Sequence, residues 1–67
     1  MKIGQIVKLV GLTHKGKNRV NEHGPLWEIR RIDNGMILVD SIVSQDWRWV
    51  HTTNDTNFQI KEISHDS

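Results

Sequence analysis

The chain contains no cysteine and no alanine, only one proline, and no apolar run longer than four residues. The absence of cysteine excludes disulfide bonds, a thiol nucleophile and any zinc site built on cysteine thiolates. The longest apolar run, Met36 to Val39, is far shorter than the roughly 20 residues that cross a bilayer as a helix. The first residues also lack the apolar stretch of a secretory signal. These absences predict a cytoplasmic protein with no membrane partner.

With 67 residues, the chain is long enough for one small domain and too short for a two-domain enzyme or a barrel of eight β/α units. We expect a single domain over residues 1–63 and a flexible C-terminal end over residues 64–67. A chain of this size buries only about 60% of its unfolded surface, so its stability depends on a few core side chains.

The composition favours strands over helices. Eight isoleucines and six valines stand against four leucines, and alanine, the best helix former, is missing. β-branched side chains fit a pleated, half-buried surface, and no window shows the apolar period of a helix over three turns. We therefore predict an all-β fold with no helix longer than one or two turns.

Alternating apolar and polar residues place five strands along the chain. The candidate strands cover residues 5–10, 26–30, 36–39 with a possible extension to 43, 47–50 and 57–63. Asn34-Gly35 predicts a tight hairpin, because this pair tolerates the positive φ angles of a type I′ turn. Residues 11–25 carry three glycines, the only proline and the densest run of basic residues, so we expect them to form the most mobile internal loop.

Five short strands with a long first connection match the plan of a small, five-stranded SH3-like barrel. Curling such a sheet into a barrel removes its exposed edges. A five-stranded OB-fold is the competing architecture, but it normally needs more residues and often includes a helix.

The first strand and the segment after it resemble the KOW motif of certain ribosomal proteins and transcription elongation factors. The matching residues are Gly4, Val7, Leu9, Gly11, Lys15-Gly16-Lys17 and Val20, and the segment that they span, residues 4–20, is about a quarter of the chain. The sequence departs from the family at Asn18-Arg19, where another glycine usually stands. The resemblance implies an SH3-like barrel and a basic loop that contacts RNA, or in some members a protein.

Charge is strongly segregated along the chain. Residues 1–31 carry seven basic and two acidic side chains, whereas residues 32–67 carry two basic and six acidic ones. The net charge of +1 therefore hides a basic half that can attract a polyanion. The densest basic stretch contains Lys15, Lys17 and Arg19, which can neutralise phosphates, and Asn18, which can hydrogen-bond sugar or base edges. The alternative is a solvated loop whose charges serve only solubility.

Three tryptophans supply most of the aromatic surface. We expect Trp27 to lie in the core beside Ile29. Trp47 and Trp49 share one face of their strand; either could stack on unpaired bases or fill the core, and we expect one to be buried and one partly exposed. Arg48 would follow the nucleic-acid backbone beside an exposed tryptophan.

Catalytic and metal-binding motifs are weak. Residues 11–17 fit the G-x-x-x-x-G-K pattern of phosphate-binding loops, but Asn18 replaces the required Ser or Thr, and Gly24-Pro25 argues against the helix that must follow. The four histidines lack the spacing of a zinc site, and no serine lies on a recognisable nucleophile turn. We therefore expect neither an enzyme nor a cofactor or metal.

Two functional hypotheses remain. The first is a small non-catalytic protein that binds RNA or DNA through the basic loop, using Lys15, Lys17, Asn18, Arg19, Arg30, Arg31, Trp47 and Arg48. The alternative is a protein-interaction module or inhibitor, for instance a phage-encoded accessory protein, that uses the same loop and exposed tryptophans.

Overall fold

The computed structural model of the protein describes residues 1–63, so the expected flexible end at residues 64–67 lies outside the described part. Six elements follow one another: β1 (Ile6–Gly11), α1 (His14–His23), β2 (Leu26–Asp33), β3 (Met36–Ser41), β4 (Trp47–His51) and β5 (Phe58–Glu62). The strands form one antiparallel sheet with the order β4-β3-β2-β1-β5. The chain is therefore mostly β, with the five strands that the sequence predicts.

The core lies on one face of this sheet, and strand alternation decides its members. Val7 and Leu9 of β1 point to the same side and are fully buried. Trp27 and Ile29 do the same on β2, which confirms their predicted burial. The other core residues are Ile37, Val39, Val50 and Phe58. Burying each such side chain contributes about 1.5–3 kcal/mol, so these few residues provide most of the stability.

The predicted hairpin between β2 and β3 is confirmed. Asn34 and Gly35 have φ angles of 50° and 79°, the positive values that a type I′ turn requires at both central positions. The turn sets Asp33 opposite Met36, and this pairing starts the register of the whole β2–β3 ladder. The register then shifts at a bulge between Ile29 and Arg31.

The segment expected as a mobile loop instead contains α1, which has ten residues and nearly three turns. The expectation of no helix beyond two turns is therefore wrong. Thr13 caps its N-terminus, because its Oγ1 accepts from the Gly16 N–H at 3.0 Å. At the other end Gly24 takes a φ of 83° and donates its N–H to the Val20 carbonyl at 2.8 Å.

Helix α1 is mostly polar and docks on the sheet through very little apolar surface. Gly16 is its one buried residue, and Val20 is a partly buried neighbour of the core. A Cβ atom at Gly16 would lie 2.1 Å from the Asn57 carbonyl oxygen, so the helix backbone itself packs against the turn before β5. No helix within residues 1–63 combines the length and the apolar character that crossing a bilayer requires.

The sheet is not a closed barrel. β4 and β5 are its two edges, and no ladder of backbone hydrogen bonds joins them within residues 1–63. The edges nevertheless approach each other, since the Arg48 guanidinium lies 4.8 Å from the centre of the Phe58 ring. A cleft beside α1 remains between these two edge strands.

Candidate functional site

The helix N-terminus is fixed to the turn before β5 by a short hydrogen-bond network. Thr13 Oγ1 donates to Asn57 Oδ1 at 2.8 Å, and the Leu12 N–H donates to the Asn57 carbonyl at 2.8 Å. That turn is itself held by Asp55, whose carboxylate accepts from the N–H groups of Asn57 and Phe58. The orientation of the first helical turn is therefore set by tertiary contacts.

This orientation brings Lys15 and Arg19 together on one side of α1. They are four residues apart, so they lie on the same face of the helix. Together with Arg48 of β4 they line a cleft of about 200 Å³, which is completed by Gly16, Asn57 and Phe58. Three of the predicted basic residues thus surround a single cleft whose lining contains no acidic side chain.

The outer face of the sheet, opposite the core, carries the second group of predicted residues. Trp47 and Trp49 are both exposed, at 64% and 40% of their surface. The expectation that one of the two is buried is therefore wrong. Val50 is the buried residue of β4, and side chains alternate between the two faces of a strand. Arg48 therefore lies on the same face as Val50, and the two tryptophans face outward.

Strand register places an arginine beside these rings. Arg31 pairs with Leu38, and Leu38 pairs with Trp49, so the three form one row across β2, β3 and β4. The bulge in β2 adds Arg30 to the same region, and both arginines line a shallow depression with Trp47 and Trp49. Within residues 1–63, no carboxylate is within ion-pair distance of Arg31.

Arg30 differs from Arg31 because it is already paired. Its Nε donates to both carboxylate oxygens of Asp40, at 3.0 and 3.1 Å, and its Nη1 lies 3.8 Å from Glu28. The hydrogen bond to Asp40 raises the pKa of the Arg30 guanidinium further above its ordinary value. Arg30 therefore offers less positive charge to a ligand than the sequence suggests.

Two predicted residues lie away from both groups. Lys17 faces the opposite side of α1 from Lys15 and lines a separate groove with Lys8 and Asn21. Asn18 is exposed on the helix and does not line the basic cleft. We expected these basic residues to form one continuous loop surface. Because a helix has 3.6 residues per turn, they instead lie on different sides of α1.

His23 at the end of α1 meets a serine and an aspartate that the sequence did not place together. Its Nδ1 lies 2.8 Å from Ser44 Oγ, and its Nε2 lies 3.4 Å from Asp46 Oδ2. The N–H groups of Val43 and Ser44 already donate to Ser41 Oγ, so they are not free to stabilise an oxyanion. We assign this set a bracing role between α1 and the β3–β4 turn.

No group of three possible metal ligands occurs among residues 1–63.

Sequence reasoning missed three features of the site. It did not include Trp49 among the binding residues, although Val50 already marked the inner face of its strand. It also missed Asn57 and Phe58, for which the sequence carries no signal, because only the folded chain brings β5 to the helix.

Comparison with known proteins adds no relative to this picture. No protein-family model matches the chain, and neither the curated proteins nor the solved structures compared with it give a match.

Proposed function

We propose that the protein is a non-catalytic binding protein that holds single-stranded RNA or DNA on the outer face of β4. The observation that carries this proposal is the pair of exposed tryptophans, Trp47 and Trp49, on one face of one strand. Exposed rings contribute little to the core, whereas unpaired bases stack on them with about 1–3 kcal/mol each. Stacking tolerates any base, so little sequence preference is expected.

The cations around β4 suit the phosphates of such a strand. Arg31 lies in the row that contains Trp49, and Arg48 alternates with the two tryptophans along β4. Because β4 is an edge strand, a nucleic acid that crosses its free edge passes from the tryptophans to the basic cleft. Bases would thus stack on one side of β4 while phosphates meet Arg48, Lys15 and Arg19 on the other.

We also propose that the fold is an SH3-like barrel with an open seam, and that its KOW resemblance reflects the same type of interaction. The strand order β4-β3-β2-β1-β5 and the bulge that bends β2 support this classification. Nuclear Overhauser contacts between β4 and β5 on both sides of the Arg48–Phe58 pair would agree with it. A flat sheet with separated edges would contradict it.

A protein partner is the second candidate, and the free edge of β4 favours it. An edge strand offers unpaired backbone N–H and C=O groups to which an extended peptide can add as a further strand. The exposed tryptophans would then be anchors for the peptide, since aromatic residues are enriched at the centres of interfaces. The carboxylates of Glu28 and Asp40 on the same face suit a partner of mixed charge better than a polyanion.

Substituting three exposed cations of the cleft and the aromatic depression tests the nucleic-acid proposal. The triple change Lys15→Ala, Arg19→Ala and Arg31→Ala should reduce the slope of log K against log salt by about two units, because each single-strand phosphate contact releases about 0.7 counterions. All three side chains are exposed, so the melting temperature should change little. Fluorescence anisotropy of a labelled single-stranded oligonucleotide, titrated at several salt concentrations, measures this slope.

A matched control removes the same amount of charge elsewhere. Lys2, Lys8 and Lys61 are exposed, and none of them lines the cleft or the aromatic depression. Their triple change to alanine should leave most of the salt slope intact. Equal losses in both triple variants would mean that net charge alone governs binding, and they would refute the proposed surface.

A further inference from the structure

The basic cleft between α1 and the two edge strands differs from the rest of the charged surface. Its three cationic side chains come from two separate elements, Lys15 and Arg19 from the helix and Arg48 from β4. Among residues 1–63, the only carboxylate that pairs with any of them is Glu22, which lies 3.9 Å from Arg19 and is itself exposed. The cleft volume of about 200 Å³ is enough for several water molecules at about 30 Å³ each, and hence for a small anion.

Arg48 provides the strongest indication of a ligand. It occupies an inward-facing position of β4, between Trp47 and Trp49 in sequence and opposite the core residue Val39. Its Nε is buried and has no hydrogen-bond partner among residues 1–63. Burying part of a charged guanidinium without a hydrogen-bond partner costs free energy, and an anion in the adjacent cleft would offset part of this cost through its opposite charge. The planar guanidinium matches the oxygens of a phosphate group in particular.

A structural role for Arg48 alone would not explain the cleft. An inward-pointing charge on an edge strand discourages pairing with other chains, and the Phe58 ring beneath the guanidinium adds a cation–π contact. Neither effect requires Lys15 and Arg19 to converge on the same place. Like charges four residues apart on a helix repel each other weakly, and an anion between them would relieve this repulsion.

We propose that this cleft binds a terminal phosphate monoester of a nucleic acid, with Arg48, Lys15 and Arg19 as its ligands. The inference rests on the proposed function and makes it more specific. A phosphate monoester carries a charge of about −1.5 to −2 near neutral pH, whereas each backbone diester carries only −1. Three cations around one cleft therefore favour the end of a strand over its interior.

The test compares oligonucleotides of one sequence that carry a 5′-phosphate, a 3′-phosphate or hydroxyl groups at both ends. We expect one of the phosphorylated forms to bind about tenfold more tightly than the hydroxyl form, which is the gain expected for a charge-assisted hydrogen bond. Comparing the two phosphorylated forms identifies which end of the strand the cleft takes. Equal affinity of all three forms would overturn the inference and leave the proposed function standing.

Two lysines on the same helix supply matched variants. Lys15→Ala should abolish the preference for the phosphorylated end, whereas Lys17→Ala, on the other side of α1, should preserve it. Arg48→Lys keeps the charge and loses the planar fork, so it should also reduce the preference. If Arg48→Lys does not fold, the two lysine variants suffice, because both side chains are exposed. A preference that survives Lys15→Ala would place the site elsewhere and overturn the inference.

Inorganic phosphate separates this inference from the proposed function. Added to the protein at constant ionic strength, it should shift the amide resonances of residues 15–19 and 48 relative to chloride. If these shifts occur but the hydroxyl-ended oligonucleotide does not bind, the result would support phosphate binding in the cleft. It would contradict base stacking on the exposed tryptophans. No shift at these residues would overturn the inference.

Discussion

Replacing Gly16 with alanine is expected to lower the melting temperature by roughly 5–20 °C, which corresponds to about 1–3 kcal/mol in a domain of this size. The added Cβ would lie 2.1 Å from the Asn57 carbonyl oxygen, a backbone atom that cannot rotate away. The helix would have to move off the turn, and the Leu12–Asn57 hydrogen bond of 2.8 Å would be strained. Thermal unfolding followed by circular dichroism measures the change.

The sign of this effect makes it informative. In an exposed helix, changing glycine to alanine normally stabilises by about 0.5–1 kcal/mol. Asn21→Ala, at an exposed position of the same helix, is the control and should leave stability unchanged or slightly higher. A Gly16→Ala variant that melts at or above the wild-type temperature would contradict the close packing of α1 on the turn before β5.

The double change Trp47→Ala and Trp49→Ala should weaken single-stranded nucleic-acid binding by about 2–6 kcal/mol, at least thirtyfold, because two stacking platforms are lost. Both rings are exposed, so the free energy of unfolding should fall far less than for a buried tryptophan. Anisotropy titrations of a labelled oligonucleotide and a thermal melt of the same sample separate the two effects.

Trp27 provides the contrast for this experiment. It is fully buried, and Trp27→Ala should cost roughly 3–5 kcal/mol of stability. A double variant at Trp47 and Trp49 that binds nucleic acid as tightly as wild type would exclude the stacking surface. If it instead loses stability on the scale of Trp27→Ala, the two rings are structural.

The strands were predictable because their information is local. Alternation placed Trp27 beside Ile29 on one face of its strand, with Trp27 expected in the core, and both residues are buried. Asn34-Gly35 identified the hairpin because its turn chemistry permits few alternatives. Both signals act over a few neighbouring residues, so no knowledge of the folded chain was needed.

The helix was not predicted because its apolar side is almost absent. An amphipathic stripe is the usual signal, whereas α1 docks through Gly16 and Val20. Its ends were nevertheless encoded by a capping threonine at position 13 and by Gly24-Pro25, which terminates a helix rather than preventing one. The helix does not turn residues 11–17 into a nucleotide-binding loop, since β1 and β2, the strands on either side of it, are antiparallel.

The basic residues of the candidate site were identified from the sequence, whereas their arrangement in space was only partly predicted. Lys15, Arg19 and Arg48 meet in one cleft, but Lys17 is separated from them by the helical period, and Arg30 is held by Asp40. The bulge in β2 and the approach of β5 to α1 arise from tertiary packing. A cluster of basic residues in the sequence therefore indicates a basic region, but it does not show which of these side chains meet in one cleft.

The most direct test of nucleic-acid binding is a titration of a labelled single-stranded oligonucleotide with the wild-type protein. It is done at about 50 mM salt, where electrostatic binding is strong. We predict a saturable rise in anisotropy, quenching of tryptophan fluorescence as bases stack on Trp47 and Trp49, and weaker binding as salt increases. An unchanged anisotropy at this salt concentration would contradict nucleic-acid binding and leave the protein-partner alternative at the β4 edge.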